Sequence, residues 1–390
     1  MEQDLTLEEV LELLDTKQYT KLRQSLAELN EADVAALLEE LNEEQLLRVF
    51  RILPKDLAAD VFSYMEPENQ QTVIAALSDR ETANIIDNLM ADDATDLLEE
   101  MPANVVKRLL AHTTAETRRD INHLLKFPDD SAGSIMTVEY MDLKANWTIS
   151  KCMERIRKTG LDSETIYTCY VVDDKRKLLG TAALRYLIMA DPDVTVGSIM
   201  NENVISVHTL DDQEEVAKQF QKYDFYSMPV VDQEDRLVGI ITVDDIMDII
   251  QEETTEDIEK MAAIMPTDQQ KPYLRQSVID IWKKRIIWLL FLMVSATFTG
   301  MIITRYEEAL GAYIVLTAFI PMLMDTSGNA GSQASVTIIR ALSLDDIEFK
   351  DFFSVLWKEI RVAFLTGITL AAANFVKLQV VDRVSASVAF

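Results

Sequence analysis

The sequence predicts a multidomain chain: an all-α superhelical solenoid, a tandem pair of α/β units, and an incomplete α-helical transmembrane domain. Three observations carry this. A strict apolar period of 12 runs through residues 29–113, a longer pattern over about 134–250 occurs twice, and residues 286–304 form a 19-residue run without a charge. The charge divides along the same lines. The 390 residues include 37 Lys or Arg and 66 Asp or Glu, a net charge of −29, yet mean hydropathy is +0.03. Residues 277–390 hold ten basic and ten acidic side chains, so the whole −29 lies in residues 1–276. Such a chain does not bind nucleic acid by broad phosphate neutralisation. Two cysteines, Cys152 and Cys169, make no disulfide framework and fit a reducing compartment. The acidic start, Met1-Glu-Gln-Asp, lacks the apolar core of a signal peptide, so the acidic half is expected in the cytosol.

In the solenoid, Leu29, Leu41, Leu53, Met65, Leu77, Leu89 and Met101 share one phase of the period. Eight residues on come Leu37, Val49, Val61, Val73, Ile85, Leu97 and Leu109; nine on come Leu38, Phe50, Phe62, Ile74, Ile86, Leu98 and Leu110. Each unit fits one helix of about eight residues plus a turn, opened by Asn42, Pro54 or Ser78. A helix that short buries its apolar pair only against its neighbours, which gives a solenoid. Asp60 and Asp96 share one repeat phase, and Asp92, Asp93 and Asp96 lie within about one turn. They can face a common point or simply solvate a scaffold.

In the second repeat, Ser134-Ile-Met136 recurs as Ser198-Ile-Met200, and Tyr170-Val-Val-Asp173 with Leu179-Gly180 recurs as Pro229-Val-Val-Asp232 with Val238-Gly239. Helical stretches, residues 149–158 and 211–222, lie between. Each unit reads as strand, acidic turn, strand through Leu-x-Gly, then helix. This resembles a tandem pair of CBS domains. The second copy ends Gly239-Ile-Ile-Thr242-Val-Asp244-Asp245, like that family's nucleotide signature, in which Thr242 would contact phosphate or ribose and Asp245 would accept from ribose hydroxyls. The first copy, Gly180-Thr-Ala-Ala-Leu-Arg-Tyr, lacks both, so at most one adenosine site per pair is implied.

An acidic helix follows, with Asp245, Asp248, Glu252 and Glu256 at spacings of three and four on one face. Like charges so placed repel. Either the helix is a solvated connector, or divalent cations neutralise its face. Oxygen ligands without a Cys or His cluster suit Mg²⁺ or Ca²⁺ rather than zinc. Lys283, Lys284 and Arg285, with Trp282 and Trp288, then put the N-terminal side of residues 286–304 in the cytoplasm. A second apolar stretch runs over about 309–339 and a third over about 362–376. In the second, Pro321, Asp325, Gly328, Asn329, Gly331 and Gln333 interrupt the apolar run. An interruption of that kind must be buried in protein or face water, and an intramembrane Asp is a functional-site candidate. Close packing through small residues is the alternative. Residues 382–390 read as the start of a further apolar segment, cut short.

The order of parts, with Gly328-Asn-Ala-Gly-Ser-Gln333 leading to Ile338-Ile-Arg-Ala-Leu342, resembles the MgtE family of magnesium channels and transporters over essentially the whole chain. The resemblance implies a homodimer in the (inner) cell membrane, multi-pass, with cytoplasmic N-terminal domains that sense Mg²⁺. It divides the chain into an acidic solenoid (1–130), a CBS pair (131–250), a connecting plug helix (251–280) and a membrane domain (281–390). It assigns Asp60, Asp92, Asp93 and Asp96 as solenoid ligands, and Asp224, Asp245 and Asp248 as ligands across from them. Glu253, Glu256 and Asp257 match the plug-helix ligands, with Glu252 on the same acidic helix. Phe225, Thr242 and Asp245 match positions that hold ATP in some members, so Asp245 has two claims and the metal role is preferred. Asp325, Gly328, Asn329, Gly331 and Gln333 fall on the helix that lines the ion path. The family's pore aspartate lies on a fifth helix that these 390 residues do not reach, so the chain is expected not to conduct alone.

The expected function is Mg²⁺ uptake, gated by intracellular Mg²⁺ on the acidic domains. A membrane-tethered nucleotide-sensing module that does not conduct is the alternative. The sequence offers no P-loop, nucleophile elbow or His/Cys constellation, and His112, His123 and His208 are scattered, so no enzyme is expected.

Overall fold

The computed structural model describes residues 5–99, 101–266, 276–306, 311, 319–344 and 346–380. It divides into two compact units, Met1–Gln251 and Glu252–Phe390.

The first unit opens with ten helices: α1 (Leu7–Asp15), α2 (Tyr19–Leu26), α3 (Glu31–Glu39), α4 (Glu43–Phe50), α5 (Lys55–Ser63), α6 (Pro67–Ala76), α7 (Asp79–Ile86), α8 (Ala91–Glu99), α9 (Ala103–Leu110) and α10 (Ala115–Leu124). From α3 to α9 they follow the 12-residue period. Asn42 and Ser78 close capping boxes with Gln45 and Glu81, and Pro54 stands at the N-cap of α5, so the turn chemistry starts each helix where the period requires. The two adjacent phases supply the core: Val49, Val61, Val73, Phe62 and Ile86 are buried, and Leu37 is only half-buried. Alternate helices stack, α3 on α5, α5 on α7 and α7 on α9, with α4 on α6 in the second row. Polar links follow the same two-repeat step. The Glu66 amide donates to Glu39 (2.6 Å), Arg51 to the Ala76 carbonyl (2.8 Å), the Thr114 amide to Asp87 (2.9 Å), and Arg108 pairs with Asp79 (3.1 Å). Helices of only two to three turns are thus tied into a superhelix through second neighbours.

Two α/β copies complete this unit. The first holds β1 (Tyr140–Lys144), α11 (Ile149–Thr159), β2 (Thr165–Val172), β3 (Leu178–Ala183) and α12 (Leu184–Met189). The second holds β4 (Val207–His208), α13 (Gln213–Tyr223), β5 (Ser227–Val231), β6 (Leu237–Thr242) and α14 (Val243–Met261). Each sheet has three strands, in the order β1-β2-β3 or β4-β5-β6, with the first pair parallel and the second antiparallel. The short leading strands β1 and β4 have no counterpart in the strand–turn–strand–helix reading, since neither has the apolar run that marks a central strand.

The Ser-Ile-Met segments are exchanged between the copies. Thr137, after the first, pairs with Ile240 of the second sheet, and Asn201, after the second, pairs with Thr181 of the first. Glycines make room for them. A Cβ on Gly239 would stand 2.5 Å from Met136 Sδ and 2.7 Å from the Thr137 carbonyl; one on Gly180 would stand 2.8 Å from Met200 Sδ and 2.9 Å from the Asn201 carbonyl. Gly239→Ala is therefore expected to cost about 1–3 kcal/mol through overpacking against backbone, read as a lower Tm in thermal unfolding. An unchanged Tm would mean that the exchanged segment is not held.

In the second unit, α15 (Val278–Arg305) and α17 (Phe352–Val380) flank α16 (Ile320–Ser343). Among the described residues two helices are long and apolar enough to cross a membrane, Val278–Arg305 and Phe349–Val380. The expected interruption in the second stretch takes a different form: Ile320–Ser343 is one continuous helix. Pro321 lies in its first turn, where no intrahelical N–H bond is lost. Hydroxyls bond back to the helix, Thr326 to Met322 O (2.8 Å), Ser327 to Met324 O (3.0 Å) and Thr337 to Gln333 O (2.8 Å), so the polar residues satisfy themselves without breaking it. Residues 312–318 of that stretch, and the further segment expected from residue 382, lie outside the described residues.

Candidate functional site

The first unit brings carboxylates together where the solenoid meets the second α/β copy. Helix α8 presents Asp92 and Asp93 in its first turn, and α14 presents Asp244 and Asp245 in its own. Apolar packing sets the two helix starts here: Ala91 joins Met136, Met228, Ile241 and Ile246 in one buried core. Thr242, at the end of β6, donates its hydroxyl to Asp245 Oδ2 at 2.5 Å.

Burial is the first cause that pushes these carboxyls up, and their neighbours' charge is the second. Asp92 lies well above the usual range, through desolvation and then Asp245 and Asp93. Asp93 has an exposed outer edge but is raised to about 6 by desolvation, Asp245, Asp244 and Glu139. Asp245 is raised to about 6 by desolvation against the opposing Thr242 bond, with Asp244 and Asp248 adding to the rise. Asp248 is raised by desolvation and Asp244. Glu164, before β2, is raised to about 7 by desolvation and then Asp244, Asp245, Asp93 and Glu139. Among the described residues no three His, Cys, Asp or Glu side chains converge closely enough to hold one ion directly.

Asp92, Asp93, Asp245 and Asp248 belong to one electrostatic cluster. Asp60 and Asp96 lie on exposed faces of α5 and α8, and Asp224 forms the left-handed C-cap of α13, with φ 53°. Phe225 packs on Tyr223, with ring centroids 5.5 Å apart, and against the second copy's core. Sequence reasoning missed Glu139 and Glu164. Each is a single acidic residue beside a strand, in no repeat or helical spacing; only the paired topology brings them to α8 and α14. Glu252, Glu253, Glu256 and Asp257 fall in the second unit, on the rest of α14, where Glu256 pairs with Lys260 at 2.9 Å. In α16, Asn329 donates to Asp325 (3.4 Å), and Asn329, Ser332, Gln333 and Thr337 line one recess, while Gly328 and Gly331 have no neighbour that a Cβ would touch.

Comparison with known proteins follows this layout. Residues 29–130 match the MgtE intracellular N domain, 196–252 a CBS domain and 320–390 the divalent cation transporter domain of MgtE. The magnesium transporter MgtE of Thermus thermophilus is 38% identical over 371 residues, covering 94% of this chain and 81% of the relative. The chain belongs to the MgtE family of magnesium transporters. The MgtE of Bacillus subtilis is 31% identical over the same shares. Among solved structures, the cytosolic domain of the Mg²⁺ channel MgtE in complex with ATP is 40% identical with a TM-score of 0.59, covering 63% of this chain and all of that one. The relatives are transporters, and this chain is not an enzyme.

Proposed function

We propose that the chain is a Mg²⁺ channel or transporter subunit gated by cytosolic Mg²⁺. The observation that carries this is the raised, mutually repelling set Asp92, Asp93, Glu164, Asp245 and Asp248 between the solenoid and the second α/β copy. Its donors are all oxygen, which fits Mg²⁺. Their spacing, with no three converging, suits an ion that keeps part of its water shell. Bound Mg²⁺ would supply the positive charge that lets these carboxylates stay ionised side by side. Without it, the carboxylates on α8 push against those on α14 and favour separation of the solenoid. A ligand that binds the docked state better shifts the population toward it by that difference in affinity. Docking is read here as the closed state, with Glu252, Glu253, Glu256 and Asp257 passing it along α14 toward the membrane helices. Asp60, Asp96 and Asp224 remain proposed outer ligands. Asp325, Gly328, Asn329, Gly331 and Gln333 are the proposed lining of the ion path, in a homodimer embedded in the bilayer with its N-terminal domains in the cytoplasm.

ATP is a proposed second ligand, on Phe225, Thr242 and Asp245. The Thr242–Asp245 bond is already closed, so a nucleotide would have to share Asp245 with the cation cluster. Calorimetry on the chain in detergent with Mg²⁺ and with ATP separately tests both readings. Mg²⁺ binding in the millimolar range, accompanied by protection from protease, is expected. ATP binding without any Mg²⁺ response would favour a nucleotide-sensing module instead.

A further inference from the structure

One carboxylate beside the cluster is already committed to donors. Glu139 Oε2 accepts from the Thr137 hydroxyl (2.6 Å), the Val138 amide (3.2 Å) and the Ala91 amide (3.4 Å). The last belongs to the first residue of α8, so one oxygen joins the α/β pair to the solenoid. Glu139 itself is anchored: its carbonyl accepts from the Glu164 amide (2.7 Å), and Thr137, wholly buried, exchanges both backbone bonds with Ile240 (2.8 and 2.9 Å). Ile240 lies on β6, which leads directly into Thr242 and α14. The Ala91 amide is one of the donors that a helix start leaves without an intrahelical partner, and a carboxylate there is favourable. The chain 91–139–137–240 thus runs from the helix that carries Asp92 and Asp93 to the strand that feeds Asp245.

We propose that Glu139 is a positioning residue for Mg²⁺ gating: by holding the N-terminus of α8 to the exchanged segment beside β6, it fixes the distance across which the two carboxylate groups face each other. This rests on the gating reading above. Its role is that of a hydrogen-bond acceptor, not of a cation ligand, and the two are separable. Glu139→Gln keeps an acceptor oxygen and removes the charge; Glu139→Ala removes both.

The test is limited proteolysis of the full chain in detergent over a Mg²⁺ titration. Glu139→Ala is expected to raise the Mg²⁺ concentration for half-protection about fivefold to tenfold, the size of one ordinary hydrogen bond, since the contact to the Ala91 amide is long at 3.4 Å. Glu139→Gln is expected to stay within about twofold of wild type, because a retained acceptor preserves most of such a bond. Thr137→Val, which leaves Glu139 intact but removes the hydroxyl that aims it, should give a smaller shift in the same direction. The proposal is overturned if Ala and Gln shift the midpoint equally, since the charge would then be what matters. It is equally overturned if Glu139→Ala lowers Tm without moving the midpoint. Absence of protection in wild type would instead remove the gating reading, and this inference with it. Protection of wild type with no shift in Glu139→Ala removes this inference alone.

Discussion

Asparagine at Asp92, Asp93 and Asp245 together is expected to raise the Mg²⁺ concentration for half-protection at least tenfold and, in chelator, to raise Tm by roughly 6–12 °C. The two effects have one cause. Each of these carboxyls is pushed up by burial and by its neighbours, so each opposes docking when ionised. Asn has nearly the shape of Asp, keeps an acceptor for the Thr242 hydroxyl, and carries no charge to desolvate. After allowance for solvent over the open edge of Asp93, about 1 kcal/mol of relief per site is reasonable. In a unit of this size each kcal/mol moves Tm by about 2–4 °C. The same substitution removes the charge that attracts Mg²⁺, so the ion-dependent gain must shrink as the ion-free stability grows. A variant merely damaged in folding would lose both. Thermal unfolding in EDTA and in millimolar Mg²⁺, beside the protease titration, distinguishes these cases; a lower Tm in EDTA would show that the carboxylates hold the docked state instead of opposing it. Asp93→Ala with Asp96→Ala is the narrower version. The larger share of its effect is expected from Asp93, which burial and the charges of Asp245 and Asp244 push up.

Much of this layout was legible in the sequence, for definite reasons. The solenoid was readable because a short helix has one buried face, and a 12-residue period repeats that face at Val49, Val61 and Val73. The α/β pair was readable as a repeat because Gly180 and Gly239 each clear space for a methionine, so both copies keep the glycine and the Ser-Ile-Met segment. The exchange of those segments between copies was not readable: pairing Thr137 with Ile240 spans a distance in sequence that no local pattern records. The same limit hid Glu139 and Glu164. Asp92, Asp93, Asp245 and Asp248 announced themselves through helical spacing, while Glu164 joins them, and Glu139 comes beside them, only through tertiary pairing. The membrane segment erred in the opposite direction. A Pro, two Gly and several polar residues looked like a broken span, but Pro321 sits in a first turn and Thr326, Ser327 and Thr337 bond to their own helix, so Ile320–Ser343 stays continuous.

Acid should imitate Mg²⁺. In the folded chain Asp93 and Asp245 titrate at about 6 and Glu164 at about 7, all above their ordinary carboxyl values. A carboxyl whose folded value is raised binds its proton more tightly when docked. Its contribution to stability is therefore complete below the unfolded value, near pH 4, and is lost as pH rises through the folded value. The window is thus about pH 4 to 7, with the steepest loss between about 5 and 6, where all three groups still hold their protons in the folded chain and have lost them in the unfolded one. In chelator, protease resistance and Tm should fall between pH 5.8 and 8.0. The Tm gain from millimolar Mg²⁺ should be larger at pH 8.0 than at 5.8, because only ionised carboxylates need the cation. Carboxylates held low elsewhere work against this. Asp235, held low by its bond and charge contact with Lys177, and Glu81, held low by Ser78, lose stabilisation as pH falls, but toward the bottom of the carboxylate range and below the interval tested. The Asp92, Asp93 and Asp245 asparagine variant isolates their share, since its Tm in chelator should fall less than that of wild type over the same interval, with Glu164 and Asp248 still raised by burial. A wild-type Tm in chelator that is level or rises from pH 5.8 to 8.0 would mean that these carboxyls are not forced together in the docked state, and the electrostatic account of gating would fail at its first step.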